Sequence, residues 1–172
     1  MSQNKIFKRL LLVVAITLSS KGFSQTIGPW NLDKLYAVPS WEETTLAPIS
    51  GMTSILYKSI DYLGNPVKVF AYYSAPSGTM PVGGWPAVVY VHGGGGTASS
   101  SWVKSLNQHG YAAISMDLEG HYPIKDSSGK YYSSPNPGPS RNGTWNDWQL
   151  DIKEQWYYHA VSQIILAHSL LS

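Results

Sequence analysis

Residues 86–97 read Pro-Ala-Val-Val-Tyr-Val-His-Gly-Gly-Gly-Gly-Thr, and this run limits the fold more than any other part of the chain. Its apolar part, 87–91, has no polar alternation, the pattern of a strand covered on both faces. Four consecutive glycines follow, with His92 at the junction. A strand that ends in a bare backbone turn presents N–H groups at the carboxyl edge of a sheet. Such a turn holds the negative oxygen of an acyl-transfer intermediate or the phosphates of a nucleotide. No Gly-x-Ser-x-Gly occurs anywhere in the 172 residues.

The composition fits a globular domain of ordinary size. Hydrophobic residues make up 43% and charged residues 13%, the latter about half the usual share. Seven Trp and twelve Tyr suit a protein that meets neutral ligands such as sugars, or one that buries its aromatics in the usual way. There is no cysteine, which excludes disulfides and a lipid-modified cysteine.

The N-terminus has the pattern of a secretory leader. Lys5, Lys8 and Arg9 precede an apolar run from Leu10 to Leu18, too short to span a bilayer comfortably, and a small-residue region ends at Ser24. We therefore expect a leader over 1–24, a mature domain over 25–172, and a secreted or periplasmic product with no stable membrane insertion once the leader is removed. A membrane anchor is the competing reading, and Lys21 keeps it open. The leader holds four of the twelve cations and none of the ten acids, so the remainder carries eight cations against ten anions, net −2. Nothing in that charge distribution supports a nucleic-acid partner.

Along the chain, residues 25–50 are broken by Pro29, Pro39 and Pro48 and read as irregular, with Trp30, Tyr36 and Trp41 packing over a sheet edge. Residues 53–60 and 66–74 read as a hairpin turning at Gly64-Asn65. A helix is expected over 98–109, with Thr97 as its N-cap and Gly110 as its terminator. Residues 111–118 form a second buried strand. A long Pro/Gly/Ser/aromatic loop runs from 119 to about 145, and the three- and four-residue spacing from Trp148 to Leu171 predicts a helix over 147–171. The fold class is α/β: an antiparallel hairpin leads into parallel strands joined by a right-handed crossover, with helices on both faces.

Three segments in order carry a family likeness. They are His92-Gly93-Gly94-Gly95-Gly96, the stretch Gly110-Tyr111-Ala112-Ala113-Ile114-Ser115-Met116-Asp117-Leu118-Glu119-Gly120-His121, and the helix from Trp156-Tyr157-Tyr158-His159-Ala160 to Leu171. Together with the preceding hairpin they resemble the α/β-hydrolase superfamily over residues 50–172. Within it they are most similar to the secreted acetylxylan-esterase and dienelactone-hydrolase-like branch. The resemblance implies a serine-type carboxylic-ester hydrolase acting on a small ester or an acetylated polysaccharide such as xylan, with no cofactor and no metal. It implies that Gly94, and next to it Gly95, donates a backbone N–H to the oxyanion, with His92 and Gly93 supporting the turn. Tyr131, Tyr132 and Trp145 are candidates to line a substrate cleft. The resemblance also implies that the nucleophile, acid and base lie outside these residues. We expect the chain to be the N-terminal part of such an enzyme, ending before the nucleophile elbow, and to be inert and poorly stable alone.

Two other classes compete. Gly93-Gly94-Gly95-Gly96-Thr97-Ala98 matches G-x-G-x-x-A between a strand and a helix, and Asp117 ends the next strand, which are the ingredients of a dinucleotide-binding oxidoreductase. The exported leader and the preceding hairpin count against it. A non-catalytic carbohydrate-binding protein would use the loop aromatics, but such modules are usually all-β. The remaining candidates are weak. Ser101 to Lys104 and Ser127 to Lys130 match S-x-x-K without the rest of that signature. The five histidines lack metal spacing; His109 and His121 are expected at the surface, and His159 and His168 on different helix faces. Asp117 fits a triad only in an unusual order. Asn142-Gly143-Thr144 is a glycosylation sequon.

Overall fold

The computed structural model describes residues 28–141, 143 and 145–172. The expected leader lies outside the described residues, as do Asn142 and Thr144 of the sequon.

The chain builds a five-stranded mixed sheet. Its strands are β1 (Trp41–Glu43), β2 (Thr53–Lys58), β3 (Lys68–Ser74), β4 (Ala87–Val91) and β5 (Ala112–Met116), in the spatial order β1-β2-β3-β5-β4. The pairs β1/β2, β2/β3 and β3/β5 are antiparallel, and β4/β5 is parallel. Among the described residues three α-helices accompany them: α1 (Leu32–Leu35), α2 (Ser100–Gln108) and α3 (Trp156–Ser169). A hairpin of β6 (His121–Lys125) and β7 (Tyr131–Ser133) stands apart from the main sheet.

Strand alternation divides the core into two layers. Ile55, Tyr57, Val69, Ala71, Ile114 and Met116 point to one face, where Ala160, Leu166 and Ala167 of α3 cover them. Leu56, Phe70, Tyr72 and Ala113 point to the other, against Ala98, Val103 of α2 and Tyr122 of β6. Helices therefore lie on both faces, as expected. A buried hydrogen bond from the Tyr57 hydroxyl to the Gln163 carbonyl (3.0 Å) ties α3 to the sheet, and the Ser169 hydroxyl ties α3 to Leu35 of α1 (2.8 Å).

The β2–β3 hairpin forms as predicted, with Thr53 opposite Tyr73 and Lys58 opposite Lys68. Its turn sits one residue earlier than Gly64-Asn65. Tyr62 and Asn65 exchange both backbone bonds, and the central residues Leu63 and Gly64 have φ of 49° and 77°, the two positive angles of a type I′ turn. Of the stretch read as irregular, the described part, 28–50, is more ordered than its prolines imply, since it contains α1 and the edge strand β1. The Asn31 side chain caps α1 through the Lys34 N–H.

Four further expectations are corrected. Strand β4 is not covered on both faces. Among the described residues its neighbour is β5 alone; Ala87 and Val91 are exposed and the three residues between them half-buried. Strand β5, by contrast, is buried throughout. Helix α2 starts after Ser99 rather than Thr97, because Thr97 is buried beneath the turn; Gly110, at φ 85°, ends it as expected. Helix α3 starts at Trp156, not 147. Residues 147–155 form turns and a single 3₁₀ turn, and Asp147 reaches nine residues forward to accept the Trp156 N–H at 2.6 Å. Finally, 119–145 is not one loop. It holds the β6–β7 hairpin, whose turn is closed by the Asp126 carboxylate accepting from the Ser128 and Lys130 N–H groups. No helix among the described residues is long and apolar enough to cross a membrane.

Candidate functional site

The glycine turn sits at the carboxyl end of β4. The Gly96 N–H returns to the Gly93 carbonyl at 3.1 Å and Gly95 has φ 76°, so the turn needs glycine at its third position. Gly96 is held by space: a Cβ there would lie 2.9 Å from His92 Nδ1 and 3.1 Å from the Gly93 carbonyl.

His92 is the pin of this turn. Its Nε2 accepts the Leu118 N–H at 2.9 Å, which leaves Nδ1 as donor to the Gly93 carbonyl at 2.7 Å. The imidazole thus joins the end of β4 to the end of β5 with both nitrogens in use. That arrangement leaves no free nitrogen for base chemistry.

Behind it lies Asp117, 2% exposed, with Oδ1 3.7 Å from His92 Nε2. Its Oδ2 accepts the N–H groups of Glu119 (2.9 Å) and His121 (2.7 Å). The Thr97 hydroxyl is near enough to favour the ionised carboxylate, yet neither it nor Oδ1 completes a hydrogen bond of good geometry. Burial dominates and raises the Asp117 carboxyl above its ordinary value; the His121 N–H, Thr97 and the two histidines oppose that shift. The same charge adds to burial in pushing the Tyr57 phenol well up. Asp117 is therefore an internal strut of the strand end, turned away from solvent.

The outer side of the turn carries contacts that the sequence did not reveal. The Gly95 N–H donates to Glu119 Oε1 at 2.9 Å, and Arg141 Nε meets the same oxygen at 3.0 Å. The Arg141 guanidinium lies directly over Gly94, where a Cβ would come within 2.6–2.8 Å of it. It also stands 5.9 Å from the Trp156 ring centre, and the Trp156 indole N–H is anchored to the Leu118 carbonyl at 2.9 Å. The Gly94 N–H has no hydrogen bond among the described residues.

The aromatic candidates fall into two groups. Trp145 is 62% exposed and stacks on Tyr157 at 4.6 Å, and Tyr157 packs edge-on against Trp156, so Trp145 connects to the turn through Trp156 and Arg141. Tyr131 and Tyr132 sit on β7. Tyr131 stacks with His121 and lies under Lys125, while Tyr132 is exposed. His121, expected at the surface, is half-buried by that stacking. His109 and His168 are exposed, and His159 is buried on the opposite side of α3 from His168. A cavity of about 550 Å³ lined by Asn31, Lys34, Lys58, Lys153 and Tyr158 includes none of the turn residues. No group of three or more His, Asp or Glu among the described residues is arranged to hold a metal.

No family model matches the chain, and no curated protein matches it. Among solved structures it is similar to the acetyl xylan esterase from Paenibacillus sp. R4, at 17% identity and a TM-score of 0.47 over 77% of this chain. The chain spans 42% of that protein's length.

Proposed function

We propose that this chain carries the oxyanion-stabilising part of an exported serine-type carboxylic-ester hydrolase of the α/β-hydrolase kind, in its acetylxylan-esterase and dienelactone-hydrolase-like branch. The substrate is a small ester or an acetylated polysaccharide. One observation carries this reading. At the end of a parallel strand, the Gly95 N–H already holds a carboxylate oxygen at 2.9 Å, so the turn accommodates a negative oxygen at hydrogen-bonding distance. Beside it Gly94 leaves a second N–H unpaired among the described residues.

In ester cleavage the carbonyl oxygen gains negative charge as the tetrahedral intermediate forms. A backbone N–H fixed before the reaction stabilises that charge without reorganising. Here the fixing is done by His92, whose two hydrogen bonds hold the turn against β5. No residue of this sequence is assigned as nucleophile, acid or base; the covalent step belongs to a serine in the nucleophile elbow of the same enzyme.

The dinucleotide reading is disfavoured by Asp117. A ribose-binding carboxylate must face the ligand, whereas this one is buried and bonded to two backbone N–H groups. The test is p-nitrophenyl acetate turnover by the protein encoded by the reading frame in which these residues lie, beside titration with NAD and NADP. Turnover well above a boiled control without saturable cofactor binding is the expected result; saturable cofactor binding without turnover overturns the proposal. Export is tested separately. Material secreted by a bacterial host should begin near Gln25, and an intact Met1 terminus in membrane fractions would contradict it.

A further inference from the structure

We propose that the glycine turn and Arg141 form a carboxylate-binding site whose present occupant is the protein's own Glu119, and that a small external carboxylate competes for it. The inference deepens the esterase reading, because the acid released by ester cleavage is such a carboxylate.

The donor set is the first ground. Glu119 Oε1 lies between a backbone N–H at 2.9 Å and a guanidinium nitrogen at 3.0 Å, a pairing of neutral and cationic donors suited to an anionic oxygen. The second ground is that the backbone donor is held independently of Glu119, while the cationic donor lies over the turn beside an anchored indole. Gly95 is fixed by the Gly93–Gly96 turn and by His92. Arg141 is seated over Gly94 and near the Trp156 ring, and Trp156 is anchored through its indole N–H. Removing the Glu119 carboxylate leaves the Gly95 N–H in place and frees the Arg141 guanidinium of its ion-pair partner.

The third ground is the tether. The Glu119 backbone N–H is bound to Asp117, so its main chain stays put when its side chain swings out. The side chain is then an intramolecular competitor at an effective concentration of order mM. An external carboxylate binds with an affinity reduced by the fraction of time the site is open, and deleting the competitor removes that reduction.

The experiment is a titration with sodium acetate, followed by backbone and arginine side-chain NMR on the whole protein encoded by the reading frame in which these residues lie and on its Glu119→Ala variant, with sodium chloride at matched ionic strength as control. In Glu119→Ala the Gly95 amide and Arg141 Nε–H resonances should move saturably with acetate and not with chloride. In the unaltered protein the same resonances should need about tenfold more acetate or higher. Static resonances, an equal response to chloride, or the same half-saturation in both proteins would overturn the site. Glu119→Ser repeats the titration with a different replacement. Loss of fold in both variants would also overturn it, because a displaceable side chain is not essential to the fold. Ester turnover plays no part in this readout: failed acetate binding leaves the esterase reading standing, and failed turnover leaves the binding site standing.

Discussion

Replacing His92 by alanine tests the pin of the turn. The ring is 6% exposed and makes two hydrogen bonds, at 2.9 Å from the Leu118 N–H and at 2.7 Å to the Gly93 carbonyl. The two losses are unequal. Leu118 is buried, so its N–H is left without a partner, at about 1–3 kcal/mol. The Gly93 carbonyl is exposed, keeps its bond from Gly96 and gains water, so its loss is at the lower end of a net hydrogen bond, about 0.5–1 kcal/mol. Together these give about 1.5–4 kcal/mol. For a chain of 172 residues that is about 3–16 °C in Tm. The assay is thermal unfolding followed by far-UV circular dichroism, with His168→Ala as control, since an exposed histidine should shift stability by about 0.5 kcal/mol or less. A loss below about 2 °C for His92→Ala, or an equal loss in the control, would refute the idea that the imidazole pins the two strand ends together.

Two further outcomes follow from the same contacts. Gly120→Ala should cost more stability than Gly129→Ala: both glycines have positive φ, but a Cβ at Gly120 would meet the Pro137 Cβ at 2.3 Å and its backbone at 2.9 Å, while Gly129 faces open space; equal melting temperatures would contradict the placement of 120 against 137. Burial lowers the His159 pKa, against the Lys153 carbonyl and the Glu154 charge, so the unfolded chain takes the proton first. Stability should therefore be full above the ordinary histidine pKa and decline as pH falls from there through the lowered folded value. His159→Gln, which keeps a donor for the Lys153 carbonyl, should flatten that decline in paired melts at pH 7.5 and 5.5 (about one unit on either side of the ordinary value), and an unchanged slope would count against it.

Local sequence pattern reached the elements whose signals are local. The β2–β3 hairpin, the buried strand β5 and the end of α2 at Gly110 all carry their own turn residues or apolar runs. Burial of β4 was not legible, because its apolar sequence resembles that of β5 while its position at the sheet edge depends on which strands pair with it. The start of α3 was missed because the acceptor of its first N–H, Asp147, lies nine residues away, and helical spacing continues by coincidence through the 3₁₀ turn. The β6–β7 hairpin was hidden by Pro123 and a polar turn; the pairing of His121 with Ser133 has no short-range signal. At the site, His92 and the four glycines stood out as a contiguous motif. Glu119 and Arg141 did not, since their meeting over the turn joins residues 22 and 24 positions apart or more through loop geometry.

The central proposal is that this turn stabilises an oxyanion, and steady-state kinetics of ester cleavage by the protein encoded by the reading frame in which these residues lie, with and without Gly94→Val, test it most directly. The φ of Gly94 is not positive, so valine fits the backbone, but its side chain enters the space above the turn now filled by the Arg141 guanidinium. The account predicts a fall in kcat of about 10²–10³ with KM changed much less, the loss expected when one oxyanion donor is obstructed. An unchanged kcat in a folded Gly94→Val enzyme would contradict it.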